Sequence, residues 1–141
     1  MIIDTNEIPN YKSLNKKMQN LYEDAQDDLD FNEMNLREKA LASPAIRAKW
    51  GAIKFSEEAL LYKLKDKRET TIEEYSKKFG KMNAPKFACD AEARKTDEIK
   101  KLDKAITTQE EVVKFCFEIL KTMAGIGFDV KNSIEILKLE S

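Results

Sequence analysis

The chain has 141 residues, of which 36% are charged and 42% apolar, with four glycines and three prolines. That size and balance predict one helical domain with an ordinary core and exclude a Gly/Pro-rich disordered chain. There is no histidine, and the two cysteines, Cys89 and Cys116, lie far apart, which excludes His-based acid–base catalysis, the usual zinc sites and a disulfide framework.

Met1-Ile2-Ile3 runs at once into Asp4 and Glu7, so no secretory signal is expected. No apolar run is long enough to cross a bilayer. A reduced, cytosolic setting is the expectation. The net charge of −1 conceals an asymmetry. Residues 1–43 hold five basic against nine acidic groups, residues 44–104 sixteen against eleven, and residues 105–141 four against six. The overall balance does not point to nucleic acid, but the middle segment is able to form a local basic surface. A solvated helix face of mixed charge accounts for the same counts.

In chain order, residues 1–12 read as an irregular lead-in, and Ser13 is a candidate N-cap for a helix carrying Leu14, Met18, Leu21 and Tyr22. The acidic run from Glu23 to Asp30 is expected to weaken or stop that helix and to be solvated. A short helix follows from Glu33 to Leu41. Ser43-Pro44 reads as a new start, an N-cap with proline at the first helical position. Beyond it Ile46, Trp50, Ile53, Leu60 and Leu64 recur at helical spacings, and the stripe then shifts to Arg68, Ile72, Tyr75 and Phe79. The β-branched cluster Thr70-Thr71-Ile72 predicts a bend. Gly80 ends the helix, and Asn83-Ala84-Pro85 forms a loop.

The next helix is predicted from Cys89 or Asp90 to Ala124. Ile99, Leu102, Ile106, Gln109, Val113, Cys116, Leu120 and Met123 alternate steps of three and four, the spacing of a coiled-coil seam. Gln109 is the polar exception and is suited to fix register. Val112, Phe115 and Ile119 add a second stripe. Gly125-Ile126-Gly127 predicts a helix end, after which Asp129 caps a short last helix.

The predicted fold class is therefore all-α: a long antiparallel helical hairpin over residues 44–124, short N-terminal helices over 1–43, and a C-terminal segment over 125–141. Apolar surface left over near residues 112–137 predicts assembly into a homo-oligomer. Val112, Phe115, Ile119, Met123, Phe128, Ile134 and Leu137 are its candidate residues.

Neither GxxxxGK(S/T) nor GxGxxG occurs in the sequence, so the common nucleotide cradles are missing. Glu57-Glu58 and Glu110-Glu111 read as surface pairs, and Cys116 as a small buried apolar residue. Cys89 sits at a helix start without a visible partner base. Neither an active site nor a cofactor or metal is expected. What remains is basic and aromatic. Lys63, Lys65, Lys67 and Arg68 form one cluster, and Lys77, Lys78, Lys81 and Lys86 a second, interleaved with Tyr75, Phe79 and Phe87. Cationic grooves with aromatic faces bind single strands without sequence preference, because phosphates meet charge and bases stack on rings. Tyr75 and Phe79 fit the helix core equally. The candidate DNA-binding residues are Lys63, Lys67, Arg68, Lys77, Lys78 and Lys81.

From about Leu21 onward the chain resembles the UvsY-type phage recombination mediators. The resemblance rests on Leu36 and Ala40 upstream of Lys49-Trp50, then Asp97, Leu102 and Asp103, then Phe115-Cys116, and finally Gly127-Phe128, Lys131, Ile134 and Leu137. It implies a small helical protein without enzymatic activity. It also implies a ring-shaped hexamer or heptamer that binds single-stranded DNA and helps load a RecA-like recombinase against the single-strand-binding protein. The location implied is the cytoplasm of an infected bacterial host. In that family two basic DNA-contacting positions precede a Tyr-Tyr-Ser-Gly element. Here those positions become Glu69 and Thr71, or Glu73 and Tyr75, so the DNA contacts are assigned from local charge. A structural helical assembly protein or chaperone that does not bind DNA is the alternative.

If the basic stretch grips phosphates, Lys67→Ala combined with Lys78→Ala weakens single-strand binding across all sequences. Two lost phosphate contacts flatten the salt dependence by about 1.4 log units per log unit of salt. Unchanged affinity and slope in a salt titration would place the contacts elsewhere.

Overall fold

The computed structural model describes residues 11–30, 36–80 and 84–140, with side chains for residues 16–30, 37–80, 84–125, 135, 138 and 139. Four helices account for nearly all of it: α1 (Tyr11–Asp28), α2 (Leu36–Gly80), α3 (Lys86–Arg94) and α4 (Asp97–Glu140). No strand occurs among the described residues. The class is all-α, as the sequence predicts.

α2 and α4, of 45 and 44 residues, are each about 65 Å long at 1.5 Å per residue. They form the main interface and run antiparallel. Trp50 lies beside Phe115, Glu57 meets Gln109, and Arg68 meets Asp103, so one residue number rises as the other falls. Their contact buries two apolar clusters. One gathers Leu64, Ile72, Ala93, Ile99, Leu102, Ala105 and Ile106; the other gathers Ala25, Trp50, Cys116, Ile119 and Met123. Thr71, at the position expected to bend, is buried with its hydroxyl donating to the Lys67 carbonyl, and the helix runs on through it.

Four boundaries differ from the sequence reading. Ser13 is inside α1, which begins at Tyr11. Pro44 is also interior, because α2 begins at Leu36. Its ring forgoes one ladder bond, but the preceding Arg37-Glu38-Lys39-Ala40-Leu41-Ala42 is made of strong helix formers that extend the helix upstream. The predicted helix from Cys89 onward divides at Lys95-Thr96. There the Thr96 hydroxyl donates to the Ala93 carbonyl at 2.7 Å, and the Thr96 carbonyl accepts the Lys100 amide. Asp97 and Glu98 then occupy the first turn of α4, where carboxylates favour the positive helix end.

The fourth correction concerns Gly125-Ile126-Gly127, which does not end a helix: α4 passes through to Glu140. An interior glycine costs about 1 kcal/mol relative to alanine. A helix already 28 residues long at that point adds one hydrogen bond per further residue and sustains that cost.

α1 lies across the end of the hairpin that contains Trp50, and charge pins it there. Lys49 bridges Asp24 at 2.8 Å and Asp28 at 2.9 Å, and the Trp50 indole donates to Asp28 at 2.8 Å. Farther along, Lys17 pairs with Glu57. Leu21, Ala25 and Leu29 pack beneath these bonds. Burial opposes ionisation of Asp28, but the hydrogen bonds from Lys49 and Trp50 outweigh it and hold the carboxyl below its ordinary pKa. Burial likewise disfavours the Lys49 charge, and its bonds to Asp24 and Asp28 more than restore it.

A depressed carboxyl pKa contributes stability that is present above the ordinary value of 3.8 and is lost as pH falls through the lower folded value. Trp50, the single tryptophan, reports this directly. Its emission should remain blue-shifted through pH 4 and move to the red below the ordinary carboxyl pKa. Asp28→Asn should lower stability at neutral pH by about 1–3 kcal/mol. An unchanged denaturation midpoint would show that Asp28 does not secure α1.

Candidate nucleic-acid interface

Five of the six basic candidates lie on α2, and the angular position of each on the helix sets where its side chain goes. Arg68 points inward: its Nε donates to Asp103 of α4, and Glu69 lies 3.6 Å from its guanidinium. This arginine ties the hairpin together. Lys63, Lys77 and Lys78 are exposed, and Lys67 is half-buried. Fourteen residues separate Lys63 from Lys77, a distance of about 21 Å along the helix, so the basic run splits into two places. Lys81 lies outside the described residues.

The place better built for a strand is the elbow where α2 turns into α3. Lys77 and Lys86 line a groove there, together with Glu73, Ser76, Cys89 and Asp90. Lys78 lies next to Lys77 with its ammonium 5.3 Å from the centre of the Tyr75 ring, a cation–π distance. Phe87, in the first turn of α3, is 77% exposed. The groove therefore offers two lysines whose charge Glu73 and Asp90 partly offset, and the bare ring of Phe87 is not among the residues that line it. The sequence places Lys86 and Phe87 in the second basic and aromatic cluster, although neither is among the six DNA-binding candidates. The signal was present in Pro85-Lys86-Phe87, where the proline begins a helix and a ring follows at the first turn.

The other two rings near the elbow belong to the core. Tyr75 and Phe79 stack with centroids 6.4 Å apart and pack on the buried cluster around Leu64 and Leu102. Burial, followed by the charge of Glu98 and the hydrogen bond to it, raises the Tyr75 pKa. That bond fastens the end of α2 to the start of α4.

Four of the seven oligomerisation candidates take part in the packing of the chain itself. Val112, Ile119 and Met123 are buried within the chain itself, and Phe115 is half-buried against Trp50 and Tyr22. α1 and α2 cover the stripe expected to meet a second copy. The side chains of Phe128, Ile134 and Leu137 lie outside the described residues.

One further polar cluster sits mid-hairpin. Gln109, fully buried, donates to the Glu57 main-chain carbonyl at 2.9 Å and to its carboxylate at 2.6 Å, while Lys17 holds the same carboxylate. The Gln109 carbonyl oxygen has no partner. Cys116 is buried nearby; burial, then the Glu57 charge, pushes its thiol up to about 11. The thiolate that nucleophilic chemistry requires is thereby disfavoured. Cys89 is buried too, its thiol 3.7 Å from the Ala84 carbonyl. No group of acidic residues and cysteines among the described residues is arranged to hold a metal ion, and none of the described helices is long and apolar enough to cross a membrane.

No protein-family model matches the chain, and no curated protein is similar to it in sequence. Among solved structures, the chain is similar to the crystal structure of the recombination mediator protein UvsY of bacteriophage T4. The TM-score is 0.75, over 88% of this chain and 98% of that one, at 14% sequence identity. The helical arrangement is thus shared along nearly the whole length of both chains.

Two substitutions separate the elbow from the interior. Phe87→Ala removes an exposed ring, so stability should stay within about 0.5 kcal/mol. Loss of one stacked base would cost about 1–3 kcal/mol of single-strand affinity. Arg68→Ala should do the reverse, leaving affinity intact and lowering the denaturation midpoint by the value of a partly exposed ion pair, about 0.2–1 kcal/mol. Paired anisotropy and urea titrations of both variants check the assignment.

Proposed function

We propose that this chain is a recombination mediator that binds single-stranded DNA and promotes loading of a RecA-like recombinase against a single-strand-binding protein. The observation that carries the reading is the likeness in fold, across nearly the entire chain, to the bacteriophage T4 recombination mediator UvsY. The elbow supports it with a sequence-neutral chemistry: Lys77, Lys78 and Lys86 for phosphates and Phe87 for a base. One such site engages only a few nucleotides. Repeated around a homo-oligomer, it would gain affinity through effective concentration and bend the strand between subunits. The strand so held would be loosened from a competing protein and offered to the recombinase. In this reading the protein has no enzymatic activity and needs no cofactor, and it acts inside the infected bacterial cell.

A non-DNA-binding helical assembly protein is the second reading. It is favoured by the inward Arg68 and by the offsetting carboxylates at the elbow.

Fluorescence anisotropy of a labelled single-stranded oligonucleotide, at several salt concentrations and with duplex competitor, separates the two. Salt-sensitive binding that duplex competes for poorly is the expected result. Replacing Lys77, Lys78 and Lys86 by alanine should reduce the slope of log affinity against log salt by about 2, at roughly 0.7 per contact. A folded protein that binds no single strand at low salt would leave the assembly reading in its place.

A further inference from the structure

Between α1 and α4 lies an open groove that neither the hairpin core nor the elbow uses. Ala25, Leu29 and Ile119 form its floor, and Tyr22 of α1 and Phe115 of α4 form its walls. The two rings lie with centroids 6.2 Å apart, and Tyr22 is 54% exposed. From Tyr22 to Asp30 the groove follows α1 for about 12 Å, or two turns. The rest of its lining is polar and acidic: Gln26, Asp27 and Asp30, all exposed. Helical spacing adds a carboxylate to each outer edge. Glu23 lies one turn before Asp27, and Glu118 three residues beyond Phe115 on the same side of α4; both are exposed. Lys39 approaches this rim, donating to the Asp27 main-chain carbonyl at 2.7 Å, and offsets part of the charge. Among the described residues, no lysine or arginine lines the groove itself.

We infer that this groove docks a short amphipathic helix of a partner protein, apolar on one face and carrying lysine or arginine beside it. Two packed helices leave between them a channel that a third helix fills with a ridge of side chains. Helix-in-groove recognition of this kind uses apolar anchors three or four residues apart. Two turns of groove hold one such anchor and a second one turn away. Strand addition is not open to the site, because the described residues hold no sheet edge. Charge complementarity selects the sign of the partner. Glu23, Asp27 and Asp30 on the α1 bank and Glu118 on the α4 bank attract cations that flank the anchors. The same carboxylates repel the phosphates of nucleic acid and of anionic lipid. Tyr22 and Phe115 supply the aromatic contact that carries much of the affinity at such surfaces. The groove shares no residue with the elbow, and the inference does not depend on strand binding.

The experiment is fluorescence anisotropy of a labelled peptide of about four helical turns, with leucine on one face and lysine on the other. A scrambled peptide of the same composition, its leucines spread around the helix, is the control. The full-length wild type should bind the amphipathic peptide, and the scrambled one about tenfold more weakly. Binding should weaken as salt is raised. Tyr22→Ala should lower the affinity about tenfold, with unchanged helicity by circular dichroism. Asp27→Lys combined with Glu118→Lys should lose the lysine peptide and gain its glutamate counterpart. That exchange decides the matter if Tyr22→Ala also loses helicity. Equal affinity for the amphipathic and scrambled peptides would overturn the inference, as would binding that the double reversal leaves unchanged. A folded wild type that binds neither peptide at low salt would overturn it too. Dissociation of an assembled protein into monomers as the peptide binds would assign the groove to a second copy and overturn the partner reading.

Discussion

The hairpin depends on one buried polar contact at its middle, where the Gln109 amide reaches both the main chain and the carboxylate of Glu57. Two long apolar stripes can slide past each other by a turn at little cost, because every heptad resembles the next. A buried amide cannot slide, since any other register strands it without partners. Gln109 already leaves its own carbonyl oxygen unpaired, which costs about 1–3 kcal/mol. The chain accepts that cost for a defined alignment. From this point the two apolar clusters extend in opposite directions, one toward the elbow and one toward Trp50.

The same carboxylate explains how α1 is placed. Glu57 would be a poorly compensated buried charge without Lys17, and Lys17 comes from α1. The second anchor, in which Lys49 and Trp50 share Asp28, lies along the same two helices. α1 is thus positioned by charges at both ends and buries an apolar face between them. Its docking covers Ile119 and Met123. For that reason Val112, Cys116, Ile119 and Met123 are interior.

A 45-residue helix that touches its neighbours along one face still presents the opposite face to solvent. On α2 that face is apolar over three heptads. At the far end of the same helix Lys77 and Lys78 are exposed, and Phe87 of α3 bares its ring.

Much of this was legible in the residue order. The 3-4 spacing from Ile99 to Met123 gave most of the core seam of α4, although Val112 and Ile119 are buried more deeply than the seam's Val113 and Leu120; Gln109 stood out as its register residue, and the short segment after Gly80 required an antiparallel return. These features depend on neighbours three or four positions away, which any helix brings together. Helix ends were less legible. Pro44 follows a run of strong helix formers and Gly125 extends a helix that is already long, so neither stops its helix, and Lys95-Thr96 divides two helices without a glycine or proline. Only the tertiary structure decided which way each lysine and each apolar stripe faces. A residue's angle on its own helix follows from its number, but which angle becomes interior depends on where α1, α3 and α4 dock. That is why Arg68 became a strut, Phe87 an open ring, and Val112 part of the core.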